Sequence, residues 1–325
     1  MPAMQPSAPG TSAVGALPDP GAARLRIAFV GQQVYFRQCS LEHPAGGLEP
    51  AFLDFRAGVP PEPLLERLLE LDPDVVLVFR PEIVPHGLFA PLRAVTLGYL
   101  TEPLPRGKDG PHPDLEARMR WLEQVEAGNF DRIISFDPLI AETAERVLPV
   151  WRSLPIPVAD SLYMDPRPRS DPPALLFIGR PTEHREALLA AVKRDHPIVH
   201  IGHGLFGEQL RRVLARADVQ LNLHNNPYPS FENRITIALA AGHLTISEPL
   251  SPRHGLEPEV DYLEFDSGEQ LARLLETLRL DPRAFTDIQA AGRRQAERFR
   301  ASTVYPALVR EALADLKARG CRRRA

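Results

Sequence analysis

Two segments between residues 175 and 250 share one pattern: a short apolar run stops at a glycine- or proline-rich loop, and a helix follows. In the first, Leu175-Leu176-Phe177-Ile178 ends in Gly179-Arg180. In the second, Val219-Gln220-Leu221-Asn222-Leu223-His224 runs into Asn225-Asn226-Pro227-Tyr228-Pro229-Ser230-Phe231-Glu232-Asn233-Arg234, and a small-residue helix then ends at Ala240-Ala241-Gly242. Short apolar runs bounded by turn residues read as strands buried in a parallel sheet. Ligands bind beyond the carboxyl ends of such strands. Helix N-termini facing that crevice suit anions, because their free N–H donors and their dipole both point at the ligand. Arg180, Arg185 and Arg234 fall near those helix starts, so the expected ligand carries phosphate.

The same alternation runs through the first half. Strand patterns at 25–30, 51–55, 74–79, 94–100 and 132–136 are separated by helix patterns at 61–71, 114–126 and 139–147. Strands alternating with helices argue for βαβ units and a parallel sheet. The register breaks where Pro149, Pro155, Pro157, Pro166, Pro168, Pro172 and Pro173 cluster, a stiff linker composition. Alternation resumes at Ala174. The expected organisation is a disordered tail over 1–23, an N-terminal α/β domain over 24–155, a linker over 156–173, and a second α/β domain over 174–300. A C-terminal helix over 301–325 carries Val309, Ala312, Leu313 and Leu316 on one stripe.

Composition narrows the function. The chain has 325 residues, 44% hydrophobic and 25% charged, which suits two domains that each bury a core. A formal net charge of −4 lacks the basic excess of a nucleic-acid binder, so no nucleic acid is expected. Cys39 and Cys321 are too few for a disulfide framework or a cysteine-rich metal site. The N-terminus lacks the pattern of a secretory signal, and no apolar run approaches the ~18 residues of a membrane span, so the expected compartment is the cytoplasm. No P-loop, Gly-x-Ser-x-Gly or complete Gly-x-Gly-x-x-Gly sits at a strand–helix turn, which disfavours kinases, serine hydrolases and nicotinamide enzymes.

Four groups of residues could carry chemistry. Gly179 lets a ligand approach the backbone, Arg180 can fork onto a diphosphate, and Arg185 falls in a helix's first turn, where a cation is favourable only beside an anion. His224, Asn225, Ser230, Glu232, Asn233 and Arg234 crowd the mouth of a nearly apolar helix, with Ser230 as a candidate N-cap. His200 and His203 flank a glycine turn, read either as metal ligands lacking a third partner or as an ordinary turn. In the first half, strand ends at Gly31-Gln32-Gln33, Arg80-Pro81-Glu82 and Tyr99-Leu100-Thr101-Glu102-Pro103 would face an acceptor pocket. Glu102, restricted by Pro103, is the candidate general base, with Glu82 and His86 as substitutes.

The set Phe177-Ile178-Gly179-Arg180 with Arg185, Asn222-Leu223-His224, and Asn233-Arg234-Ile235 through Ala240-Ala241-Gly242 resembles the glycosyltransferases called GT-B. It is most similar to the branch related to spore maturation protein CgeB, with its "glycosyl transferases group 1" module. The resemblance implies an α/β fold of two Rossmann-like domains with parallel sheets facing across a cleft, and a C-terminal helix that packs back on the N-terminal domain. It implies a nucleotide-sugar co-substrate held by the C-terminal domain, an unidentified acceptor held by the N-terminal one, and no bound metal or other cofactor. One departure stands out: many relatives have a Glu five residues before the glycine of Ala-x-Gly, and this chain has Ile237 there. Two other readings stay open: a two-domain binding protein that has lost catalysis, with Ile237 as its sign, and a sugar-nucleotide epimerase, which would need carboxylates flanking the sugar.

Overall fold

The computed structural model describes residues 17–18, 24–106 and 115–320. Most of the 1–23 tail, the first residue of the 114–126 helix and Cys321 lie outside the described residues.

In the first half, strands β1 (Leu25–Gly31), β2 (Leu48–Asp54), β3 (Val75–Phe79), β4 (Val95–Leu100), β5 (Arg132–Ser135) and β6 (Arg152–Ser153) form one sheet. Its order is β2-β1-β3-β4-β5-β6, and every pairing is parallel. Helices α1 (Gln33–Phe36), α2 (Glu62–Leu71), α3 (Leu115–Glu123) and α4 (Ala141–Ala144) occupy its crossovers. The central strand β3, Val-Val-Leu-Val-Phe, is buried at every position. Strand β2 begins at Leu48 and contains Pro50. A proline, lacking the ladder N–H, is tolerated there because β2 is an edge strand. The helix read over 139–147 shrinks to a 3-10 turn at Pro138–Ile140 and the four residues of α4.

The second half repeats the scheme. Strands β7 (Leu175–Ile178), β8 (Ile198–Ile201), β9 (Val219–Asn222), β10 (Leu244–Ser247) and β11 (Leu263–Glu264) make a parallel sheet in the order β11-β10-β9-β7-β8. Its helices are α5 (Glu183–Ala190), α6 (Gly207–Leu214), α7 (Asn233–Ala240), α8 (Gly268–Leu280) and α9 (Thr286–Gln295). In each half the first strand sits between the second and the third, so the strand order reverses there. Such a reversal opens the crevice in which doubly wound sheets bind ligands. The two crevices lie at β1/β3 and β7/β9.

The long helix α10 (Ala301–Ala318) follows the second half in sequence but completes the core of the first. Tyr305 meets the Phe29 ring edge-on at 4.7 Å and is fully buried. Burying an aromatic of this size contributes ~1.5–3 kcal/mol. The proline-rich segment between the halves is tied down rather than loose. Val158 N–H donates to Phe299 O at 2.8 Å, Ala301 N–H to Val158 O at 2.9 Å, and Met164 N–H to Ala240 O at 2.9 Å. Asp160 accepts from the Ser302 N–H at 3.0 Å and from Arg300 at 3.1 Å. The chain thus crosses between halves twice, side by side. No helix among the described residues is long and apolar enough to cross a membrane.

Candidate active site

A cleft of about 790 Å³ lies between the two crevices and is lined from both halves. Its C-terminal wall is built on the β7/β9 reversal. Gly179 follows β7, and a Cβ there would stand 2.7 Å from Arg234 Nη1 and 3.2 Å from Arg185 Nη1. Only glycine leaves room for the two guanidiniums, which sit 5.1 and 5.4 Å from the centre of the buried Phe177 ring.

The three arginines divide the work. Arg234, 8% exposed, donates through Nε to Asn222 Oδ1 at 3.0 Å, through Nη1 to Ile178 O, and through Nη2 to Leu223 O at 2.9 Å and to Glu232. It therefore clamps the ends of β7 and β9 together, and its donors face the protein. Arg185, 3% exposed, donates to Leu223 O at 3.1 Å and Arg180 O at 3.0 Å and pairs with Glu232 at 3.5 Å. Burial, and then the charge of Arg234, push its pKa down to about 10. Arg180 is exposed on the cleft, its Nε held by Asn225 Oδ1 at 3.3 Å. Of the three, Arg180 has its guanidinium placed to meet a ligand.

Glu232 is the carboxylate that Arg185 and Arg234 share. Burial would raise its pKa, but Arg234 and Arg185 outweigh that and hold it below the ordinary carboxylate value. Helix α7 starts at Asn233 with Glu232 as its N-cap residue, so Ser230 does not cap it. Ser230 instead bonds the His224 ring at 3.1 Å. His224 does not line the cleft: its Nε2 bonds Pro249 O at 2.9 Å, and its N–H donates to Glu248 at 2.6 Å. Gly179, Arg180, Arg185, Asn225, Ser230, Glu232, Asn233 and Arg234 do line it, as does Ile237, an apolar patch where the resemblance calls for a Glu. Glu248, which also pairs with His184 at 2.7 Å, was not among the residues the sequence singled out.

The two histidines of the glycine turn separate. His200 bonds Gly179 O at 2.8 Å and packs on Phe177 at 4.9 Å, supporting the β7 loop from behind. His203 lines the cleft. Among the described residues no group of three His, Cys, Asp or Glu side chains could hold a metal.

The N-terminal wall holds Glu102, its carboxylate 3.8 Å from Arg80 and 3.9 Å from Arg118. Burial raises its pKa above the ordinary value, with both arginines pulling the other way. Arg80 adopts a left-handed φ of 64°, a strained conformation for a non-glycine residue, at the end of β3. It pairs with Glu82 at 2.8 Å and lies 5.3 Å from the Trp121 ring. Glu82 lies behind Arg80 and outside the cleft; His86 pairs with Glu126 at 3.0 Å and also lies outside it. Tyr35, Gln38, Arg118 and Trp121 line this wall too. The sequence had not pointed to them, since they sit on helices rather than at strand ends.

Residues 180–313 match a family described as glycosyl transferase-like. The match covers the C-terminal portion of the chain, and the two facing parallel sheets share the GT-B fold of the solved structures below. Sucrose-phosphate synthase of Thermosynechococcus elongatus superposes with a TM-score of 0.61 at 14% identity, covering 91% of this chain and 100% of that one. HepE of Anabaena, solved in complex with UDP-glucose, gives 0.57 at 12% identity over 91% of this chain and 100% of its own. AviGT4, a glycosyltransferase involved in avilamycin A biosynthesis, gives 0.54 at 16% identity over 90% and 98%. No curated protein sequence matches the chain.

Proposed function

We propose that this chain is a glycosyltransferase that takes its sugar from a nucleoside diphosphate sugar, holding the diphosphate at the β7/β9 crevice without a metal ion, and delivers it to a hydroxyl bound on the N-terminal wall. One observation carries the reading: Arg180, Arg185 and Arg234 gather on one wall of the cleft, where Arg185 and Arg234 share Glu232 and Arg180 is held only by Asn225, leaving excess positive charge. Buried unbalanced charge is costly and is relieved by an anion of opposite sign. Arg180 and the first turn of α7 meet that anion, while Arg185 and Arg234 contribute field from behind. In the reaction the acceptor oxygen bonds to the anomeric carbon as the bond from that carbon to the phosphate oxygen breaks. The electron pair leaves with the diphosphate, where the arginines stabilise it, and the acceptor proton passes to Glu102. The UDP-glucose complex of HepE supports a nucleotide-sugar donor. A cytoplasmic setting belongs to the same proposal.

Calorimetry with a nucleoside and with its mono- and diphosphate tests the anion site, and donor turnover in excess EDTA tests the chemistry. The diphosphate should bind at least tenfold more tightly than the nucleoside, and turnover should persist with the chelator. Equal affinity for all three would remove the phosphate site. Tight binding without any sugar release would favour the non-catalytic reading that Ile237 keeps open, and donor conversion to an epimer would favour the epimerase.

A further inference from the structure

We propose that the acceptor is a neutral saccharide, its ring stacked on Trp121 and its hydroxyls bonded by the charged and polar groups around Glu102. The inference rests on the glycosyltransferase reading and names the class of its second substrate. The two walls of the cleft differ in charge. On the C-terminal wall Arg185 and Arg234 share Glu232 while Arg180 is held by Asn225, whereas on the N-terminal wall Arg80 and Arg118 are matched by Glu82 and Glu102. A balanced wall offers no net attraction to a phosphate or uronate, yet it offers charge-assisted donors and acceptors side by side. A hydroxyl, which donates and accepts, satisfies both.

Aromatic surface lies beside this polar group. Trp121 is 38% exposed and Tyr35 45% exposed, both on the cleft, while most large rings in the protein are buried. A pyranose presents an apolar C–H face and a rim of hydroxyls, which fits an aromatic platform next to a polar cluster. Thr101 and Gln38 add polar side chains to the same wall. The left-handed backbone of Arg80 sets its guanidinium between Trp121 and Glu102 and so fixes the spacing of platform and base.

Saturation-transfer NMR with the methyl glycosides of glucose, galactose and N-acetylglucosamine, and with methyl glucuronide, reads binding whether or not the donor turns over. At least one neutral glycoside should bind, and glucuronide should bind more weakly. Trp121→Ala should weaken that binding at least tenfold with donor affinity unchanged, and Trp121→Phe should restore most of it. Where the donor turns over, the same variant should raise the acceptor KM with a smaller effect on kcat. Donor hydrolysis with no saccharide bound, or equal binding by wild type and Trp121→Ala, would overturn the inference and leave the glycosyltransferase reading standing. Saccharide binding without donor turnover would uphold the inference and remove that reading instead.

Discussion

At the scale of residues, three arginines of the same type near the same loop have different roles because their partners differ. Arg180 has few protein partners, so Arg180→Ala should weaken nucleoside diphosphate binding by about 1.5–3 kcal/mol, the worth of a charge-assisted hydrogen bond, and leave the unfolding midpoint unchanged. Arg234 joins β7, β9 and Glu232. Its removal takes the donor from Asn222 Oδ1 and Ile178 O and leaves Glu232 and Leu223 O to Arg185 alone, so Arg234→Ala should cost about 1–3 kcal/mol in denaturant unfolding. If the two variants exchange these phenotypes, the division of roles is wrong. Glu102 acts through its proton. Its pKa is raised, so the active carboxylate form is lost as pH falls through a value above the ordinary carboxylate range. The acidic limb of the rate profile should lie there. Glu102→Gln should lower kcat by ~10²–10⁴ and abolish that limb without changing donor affinity. A variant that keeps both rate and limb would show that Glu102 is not the base.

Among the elements, α7 shows best how far a local pattern reads. Its run of Ile, Thr, Ala and Leu is too apolar for a surface helix, and every residue from Arg234 to Ala240 is buried. Its first turn was misjudged by two residues, because Ser230 is engaged by His224 rather than by the helix N–H groups. After the helix, Gly242 takes a φ of 75° against the backbone of Pro166, which turns the chain into β10. His243 at that turn is 3% exposed, and its Nε2–H donates to Leu214 O at 2.9 Å. Burial lowers its pKa from 6.5 to about 4. A folded-state pKa below the unfolded one gives stability that is complete above about pH 6.5 and lost as pH falls toward 4. The loss should amount to about 2–3 kcal/mol from this group. Urea unfolding measured across that window should show the decline, and His243→Gln should flatten it; an unchanged slope would assign the acid sensitivity elsewhere.

For the molecule as a whole, the decisive contact is between the end of the chain and its beginning. Helix α10 fills the N-terminal core, with Tyr305 Oη donating to the Cys39 carbonyl. Tyr305→Ala opens a cavity that the sheet cannot close, so it should destabilise by about 3–5 kcal/mol, whereas Tyr305→Phe keeps the packing and should cost about 1 kcal/mol. Comparable losses in the two variants would mean that the hydrogen bond, not the packing, holds α10. The two chain crossings lie side by side at Val158 and Arg300.

Two parallel sheets in sequence and most of their helices were determined by the sequence itself, whereas helix α1 and the two-residue strands β6 and β11 were not legible there. Burial periodicity is a local property, and Gly179 between an apolar strand and a helix start marks a ligand loop with no knowledge of the rest. Tertiary structure alone decided which arginine is exposed on the cleft, that His224 turns away, that His200 and His203 have separate surroundings, and that Arg80, Glu102, Arg118 and Trp121 share one wall. Each of these depends on which loops meet where strand order reverses. Those meetings join residues tens of positions apart, whose pairing has no signature in any local stretch of chain.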